Sequence, residues 1–140
     1  MTTTSDSRKI ADPALNPGDA PYFEAAGEGR LLLKRCKACG ELHHYPRKLC
    51  PFCWSCEVDW EAAGGGGSIY TYSVTRRGAG APYCIAYVTL DEGPVMLCNI
   101  VDTDLDAVRI GQRVRVVFAR SEGGTAIPMF TPAEAGGSAA

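Results

Sequence analysis

Histidine is scarce in this sequence, and long apolar runs are missing from it. The 140 residues include two histidines, His43 and His44, which are adjacent. Because histidine is the most frequent general acid or base, few catalytic arrangements of that kind are open to the chain. No apolar stretch approaches the roughly 18 residues that a membrane helix needs, so we expect no membrane span.

A basic surplus is missing as well, since the formal net charge is −2. Nucleic-acid-binding domains usually carry a clear excess of positive charge, which makes nucleic acid an unfavoured partner. The polar stretch 1–7 contains no apolar core of a secretory signal, and we therefore expect a cytoplasmic protein. In a reducing compartment, seven cysteines indicate metal binding more than disulfides.

Four of the cysteines form two Cys-x-x-Cys pairs. Cys36 and Cys39 make the first pair, and Cys50 and Cys53 follow after ten intervening residues. Each pair makes a tight turn that directs two thiolates to one point, and two such turns form a tetrahedral zinc site. Gly40 follows the first pair, where a left-handed backbone is often required. The spacing predicts a zinc ribbon with one structural Zn²⁺ per chain.

Three other residues compete for the ligand positions. Cys56 lies three residues beyond Cys53 and makes a further Cys-x-x-Cys spacing with it, and His43 or His44 could replace a cysteine. Four thiolates already complete a structural zinc site. We therefore interpret Cys56 as a small apolar side chain and both histidines as flanks of the hairpin.

The chain is predicted to be mainly β, with a short N-terminal helix, a zinc ribbon and a five-stranded OB-fold barrel. Asp19 is the expected helix cap, and Leu31 to Arg35 and Leu42 to Tyr45 are the expected ribbon hairpin. The glycine run 64–67 indicates a flexible boundary. The predicted segments are a flexible arm at 1–18, the helix and ribbon at 19–60, a glycine-rich linker at 61–67, the barrel at 68–132 and a disordered tail at 133–140.

Five runs after the glycines alternate between apolar and polar residues, as strands of a barrel do. A longer connection after the third run, with Leu105, Val108 and Ile110 as a plug, favours an OB fold over an SH3-like barrel. The expected strands are Ser68 to Val74, Cys84 to Leu90, Val95 to Val101, Arg113 to Ala119 and Ala126 to Phe130.

Two further pairs of residues are candidates for contacts outside the chain. Tyr22 and Phe23 are adjacent on the short helix and point to different faces, so one of them could meet a partner. Arg76 and Arg77 lie in the glycine-containing loop between the first two barrel strands, where two guanidinium groups could bind a phosphate. The alternative for each pair is structural, as packing on the ribbon or as a soluble loop tip.

An active site is not predicted. Cys84 and Cys98 lie among apolar strand neighbours, where cysteines are usually inert, and the acidic residues cluster in turns. We therefore expect an accessory protein rather than a complete enzyme.

The order of these motifs resembles that of the rubredoxin-like zinc-ribbon and OB-fold proteins associated with acyl-CoA metabolism. The matching segments are Tyr22-Phe23-Glu24-Ala25, Gly29-Arg30-Leu31, Cys36-Lys37-Ala38-Cys39-Gly40, Tyr45-Pro46-Arg47, Cys50-Pro51-Phe52-Cys53, Ala86-Tyr87-Val88-Thr89-Leu90-Asp91-Glu92-Gly93-Pro94 and Ile110-Gly111-Gln112-Arg113-Val114. Together they extend over roughly residues 20 to 132.

The resemblance implies a non-catalytic zinc-binding subunit of a thiolase-type complex that makes or breaks carbon–carbon bonds in an acyl-CoA, of aromatic or sterol type. It implies zinc ligands Cys36, Cys39, Cys50 and Cys53, and a hetero-oligomer for which two copies of each subunit is one arrangement. Some relatives accompany or are fused to hydratases instead. Two alternatives stay open: an acyl-group carrier, and a single-stranded nucleic-acid binder with Tyr70, Tyr72 and Tyr87 as stacking platforms.

Overall fold

One short helix, α1 (Ala20–Gly27), precedes all the strands. A computed structural model describes residues 10–76 and 81–133 of the protein. Asp19 occupies the position before the helix, but its side chain makes no capping bond there. It accepts instead from the backbone N–H of Asn16, at 3.0 Å. The predicted side-chain cap is therefore wrong, while the helix itself is present.

The ribbon is a three-stranded antiparallel sheet rather than a simple hairpin. It consists of β1 (Leu32–Cys36), β2 (Leu42–His43) and β3 (Val58–Ala62), with β1 in the centre. The third strand was not predicted. It pairs with all of β1 and brings Trp60 opposite Lys34, whose ammonium lies 4.4 Å from the indole centroid. That cation–π contact joins β1 to β3 on one face of the ribbon.

Five strands close into a barrel, which confirms the predicted fold class. The strands are β4 (Gly66–Thr75), β5 (Tyr83–Leu90), β6 (Val95–Ile100), β7 (Arg113–Arg120) and β8 (Ala126–Pro132), in the order β4-β5-β6-β8-β7. β6 and β8 meet in parallel where Ile100 pairs with Phe130, and the other neighbours are antiparallel. Leu105 and Val108 are buried in the β6–β7 connection as predicted, whereas Ile110 is exposed.

One apolar core serves both the ribbon and the barrel. Tyr22 of α1 and Leu31 to Leu33 of the ribbon belong to the same cluster of buried side chains as Val88 and Phe130 of the barrel. The helix packs on β8 as well as on β1. Burial of these side chains therefore stabilises both parts at once, because each part covers apolar surface of the other.

The predicted glycine-rich linker at 61–67 lies largely inside the sheets. Glu61 and Ala62 end β3, and Gly66 and Gly67 begin β4, where they pair with Arg115 and Val114. A Cβ on Gly67 would lie 2.7 Å from both the carbonyl oxygen of Thr89 and Cγ1 of Val88. Glycine is required here because the neighbouring strand β5 lies too close for a side chain, rather than because the segment is flexible.

Part of the predicted flexible arm packs on the barrel. The carboxylate of Asp12 accepts from the hydroxyl of Ser121 at 2.5 Å and from the backbone N–H of Gly123 at 2.8 Å. The backbone of Ile10 also accepts from Glu122. These bonds hold the segment against the β7–β8 turn. Residues 1–9 and the predicted tail from 134 onward lie outside the described residues.

A helix long and apolar enough to cross a membrane is absent from the part of the chain that the structure describes.

Candidate metal centre

Two turns of similar geometry bring four cysteines together. Cys36 ends β1 and Cys39 follows in the first turn, while Cys50 and Cys53 belong to the second turn between β2 and β3. The four Sγ atoms all lie within 4.8 Å of one another. Cys36 and Cys50 are buried and the second member of each pair is exposed. The predicted pairs therefore converge on one point at the end of the ribbon.

The sulfur separations fit a tetrahedral zinc ion. Sγ of Cys36 lies 3.5 Å from Sγ of Cys53, and Sγ of Cys39 lies 3.6 Å from Sγ of Cys50. Four thiolates around zinc, with Zn–S bonds of about 2.3 Å, have sulfur atoms about 3.8 Å apart. The observed separations are far longer than a disulfide bond of about 2.05 Å. The donor set is closed, so the protein carries a structural zinc site.

Backbone amides support the charge of the two buried sulfurs. The N–H of Cys39 donates to Sγ of Cys36 at 3.4 Å, and the N–H of Phe52 donates to Sγ of Cys50 at 3.3 Å. The first of these bonds is the largest cause that lowers the pKa of Cys36, to about 7. This backbone bond therefore favours the thiolate form of Cys36, which is the form that zinc requires.

Each turn is closed by a left-handed residue after its second cysteine. The N–H of Gly40 donates to the carbonyl of Cys36 at 2.8 Å, and the N–H of Trp54 donates to the carbonyl of Cys50 at 2.9 Å. Gly40 has φ +82° and Trp54 has φ +68°. Glycine adopts this conformation freely, whereas a bulky aromatic residue does so at a cost. Sequence reasoning identified Gly40 and missed Trp54, because only the equivalence of the two turns reveals it.

The three competing ligands lie outside the cysteine cluster in the described structure. Nε2 of His43 accepts from the backbone N–H of Arg47 at 3.3 Å. Nε2 of His44 lies 2.8 Å from the hydroxyl of Tyr22, and burial lowers the pKa of this histidine to about 4. Cys56 is exposed. Both histidines thus have structural partners on the ribbon.

Tyr22, a candidate for a partner contact, is buried inside this chain. Its side chain is 2% exposed, because the helix turns this face onto β1 and β8. Phe23 is half-buried and packs edge-on against Tyr22, with 5.0 Å between ring centroids. Both rings therefore contact this chain's own core, and a partner contact of Phe23 stays a prediction.

The arginine loop is described only in part. Arg76 is exposed and pairs with Asp106, with 2.6 Å between the guanidinium nitrogen and the carboxylate oxygen. Arg77 lies outside the described residues. Binding of a phosphate by Arg76 would have to displace or share this carboxylate.

The barrel interior offers no reactive thiol. Cys84 and Cys98 are both buried, and burial raises the pKa of Cys98 to about 12. The tyrosines of the nucleic-acid alternative also fail to share one face. Tyr72 pairs with buried Ala86 and Tyr87 pairs with exposed Thr71, so their rings leave opposite sides of the sheet.

Two family models match consecutive parts of the chain. Residues 23–59 match the model described as the rubredoxin-like zinc ribbon domain of ChsH2, and residues 60–119 match the C-terminal OB-fold domain of ChsH2.

Three similar proteins cover most of the chain. The benzoylsuccinyl-CoA thiolase subunit BbsA of Thauera aromatica is 35% identical over 99 residues, which are 63% of this chain and 68% of BbsA. A probable enoyl-CoA hydratase alpha subunit of Thermomonospora curvata is 36% identical over 125 residues, 86% of this chain. This chain spans only 39% of that longer relative. The solved Ltp2–ChsH2 (DUF35) aldolase includes a chain that is 35% identical, with a TM-score of 0.78 and coverage of 86% of this chain and 98% of that one.

Proposed function

Because the chain belongs to the ChsH2 family, in which a rubredoxin-like zinc ribbon precedes an OB fold, we propose that it is the accessory subunit of a thiolase-type enzyme. The enzyme would make or break a carbon–carbon bond in an acyl-CoA. The observation that carries this proposal is the match to BbsA and to the chain of the Ltp2–ChsH2 aldolase, each 35% identical. Both names describe assemblies that cleave or form carbon–carbon bonds.

The zinc ion would act as a structural element in this subunit. We assign its ligands as Cys36, Cys39, Cys50 and Cys53, because these sulfurs converge and the spacing suits four thiolates. A zinc ion with four protein ligands has no open position for substrate, so it fixes the two turns and performs no reaction step. The ribbon alone is small, and a bound metal is the usual way to hold such a module folded.

The chemistry would belong to the partner subunit. Among the described residues, the thiols of Cys84 and Cys98 are buried, and both histidines are engaged within the ribbon. This chain would shape the surroundings of the partner's site and stabilise the complex. Arg76, directly after β4, is the described member of the predicted arginine pair, and it would approach the CoA phosphates by exchanging its pairing with Asp106.

Co-expression tests the proposal directly. This chain is produced together with each thiolase-like protein encoded in the same genome, and co-purification is followed by a thiolysis assay with and without the chain. We expect one thiolase-like protein to be retained and to lose most of its activity when this chain is left out. Retention of none of them, with full activity of each alone, would refute the proposal.

A hydratase partner is the second candidate, and the Thermomonospora relative favours it. The matched segment of that longer protein covers 86% of this chain, so the same ribbon and barrel are joined there to further sequence. The same co-purification, carried out with hydratase-like proteins from the genome and an enoyl-CoA hydration assay, separates the two candidates. If this chain retains a hydratase-like protein and no thiolase-like protein, the hydratase partner is the correct candidate.

A further inference from the structure

The second zinc turn presents apolar side chains to solvent. We call the exposed residues Arg47, Lys48, Leu49, Phe52 and Trp54 the aromatic knuckle. Leu49 is 46%, Phe52 is 62% and Trp54 is 75% exposed, and all three flank the buried ligand Cys50. Aromatic side chains exposed together on a rigid turn are typical of interaction sites.

The first turn shows that zinc binding does not require these residues. The first turn has the same closing hydrogen bond and a left-handed backbone at the same position. Its residues there are Lys37, Ala38 and Gly40, whereas the second turn has Pro51, Phe52 and Trp54. Glycine would serve the backbone at position 54 better than tryptophan does. Strain that the fold does not need is a pointer to function when an outlier is actually observed.

The charge on the aromatic knuckle has one sign. No acidic residue occurs between Leu42 and Cys56, and Arg47 and Lys48 form no ion pair within the described residues. The cations near the first turn are satisfied by this chain, since Lys37 pairs with Asp59 and Arg35 with Glu61. Arg47 and Lys48, beside the exposed aromatic residues, are therefore available to pair with carboxylates of another protein.

We infer that the aromatic knuckle is the anchor by which this chain docks on its catalytic subunit, into an apolar groove edged by Asp and Glu side chains. This inference rests on the proposed function. Trp54 and Phe52 would fill the groove, and Arg47 and Lys48 would pair with its acidic edge. In protein–protein interfaces, aromatic residues at the centre usually supply most of the binding energy, and polar or charged residues form the rim.

A second copy of this chain is a poor occupant of the same face. A symmetric contact would bring Arg47 and Lys48 of both copies together, and like charges facing each other in an interface are costly. Acyl-CoA is the other occupant that combines apolar and anionic groups, and the experiment includes it as a competitor.

The test uses the zinc-loaded full chain and the thiolase-like protein that it retains, with affinity measured by titration calorimetry. Trp54→Gly is the main variant, because glycine accepts the left-handed backbone and leaves the fold intact. We expect it to weaken binding by about 30-fold or more, the loss typical of an aromatic anchor. Arg47→Glu with Lys48→Glu should slow association about tenfold at low salt, with a smaller effect at high salt.

Ile110→Ser is the matched control, since Ile110 is 69% exposed on the barrel, far in sequence from the zinc turns. It should change the affinity by less than about threefold, as surface contacts outside an interface do. Zinc content and the melting temperature of each variant confirm that the chain is folded. Equal weakening by Ile110→Ser would overturn the assignment of the anchor to the knuckle.

Failure of this inference differs from failure of the proposed function. If wild type binds the thiolase-like protein and Trp54→Gly binds equally well, the docking surface is elsewhere and the proposed function stands. If wild type binds none of these proteins, both fail. Competition by acyl-CoA for the knuckle, or Trp54-dependent dimerisation of this chain alone, would replace the partner groove with a different occupant and refute the inference.

Discussion

The hydroxyl of Tyr22 lies 2.8 Å from Nε2 of His44, and both side chains are enclosed between α1 and the ribbon. Tyr22 also belongs to the core that continues into the barrel. The hydrogen bond therefore joins α1 to the ribbon, while packing of the same tyrosine connects both to the barrel. Burial of the imidazole makes its neutral form the favoured one, since desolvation is the main cause that lowers its pKa to about 4.

Removal of this hydroxyl should destabilise the protein without disturbing packing. Tyr22→Phe leaves Nε2 of His44 without its partner in an apolar site, and we expect a loss of about 1–3 kcal/mol in the free energy of unfolding. Tyr45→Phe is the control, because Tyr45 is 36% exposed and its hydroxyl makes a long bond of 3.4 Å to Asp19. Urea unfolding measures both. Equal losses in the two variants would show that the Tyr22–His44 bond contributes no more to the free energy of unfolding than the long Tyr45–Asp19 bond.

Stability should fall as the pH is lowered from about 6.5 toward 4. The pKa of His44 is lowered from 6.5 to about 4 in the folded protein, so between these values the unfolded chain binds the extra proton. Protons then favour unfolding, and the loss is complete below the folded pKa, at about 3 kcal/mol for a shift of this size.

His44→Gln isolates that contribution. Glutamine places an amide near the position of Nε2 and does not titrate, so the variant should lose less stability than wild type over the same pH range. Zinc release in acid affects both proteins alike and cancels in the comparison. Parallel pH profiles from urea unfolding would assign the acid sensitivity to other groups.

Loss of zinc should unfold more than the ribbon. Cys50→Ser removes a buried ligand, and the ribbon then loses the surface that covers Val88 and Phe130 in the common core. We expect amide hydrogen exchange to become faster in β5 and β8 as well as in β1 to β3. Cys56→Ser is the matched control and should keep one zinc per chain. Exchange confined to the ribbon would show that the barrel is stable alone.

Glycine 67 should tolerate no side chain. In Gly67→Ala the new Cβ meets the backbone oxygen of Thr89 and a methyl of Val88, each at 2.7 Å, and overpacking of this kind costs about 1–3 kcal/mol. Gly27→Ala is the opposite case, because nothing lies within 4 Å of its Cβ position. That change should be neutral or stabilise by about 0.5 kcal/mol. The melting temperatures of the two variants measure both effects. A fall for Gly67→Ala alone would show that position 67 needs glycine for lack of space and not for flexibility.

The features that the sequence predicted well are local and periodic. The cysteine spacing identified the metal site, and the alternating runs identified all five barrel strands to within a few residues. Both signals depend on neighbours in the chain. Strand β3 also alternates, with Val58, Trp60 and Ala62 separated by acidic residues. It was missed because the strand it pairs with in the described structure is β1, more than twenty residues earlier.

The features that the sequence did not predict depend on tertiary contacts. A run of four glycines has the composition of a linker. The close approach of Thr89 and Val88 of β5 shows instead that part of it is a strand with no room for a side chain. Tyr22 and Phe23 are both aromatic residues of α1, so the sequence does not show which of them faces the strands. The left-handed backbone of Trp54 follows from a turn that the sequence marks with glycine in one copy only.

The boundary between the two matched family models falls between Asp59 and Trp60, in the middle of β3 (Val58–Ala62). A genetic exchange at that point would divide a strand whose first half borders the metal turns and whose second half supports the barrel. We therefore expect the ribbon and the barrel to occur together as one unit in related proteins. Grafting the module onto another protein requires cuts outside residues 10–133, because any internal cut between ribbon and barrel severs their common core.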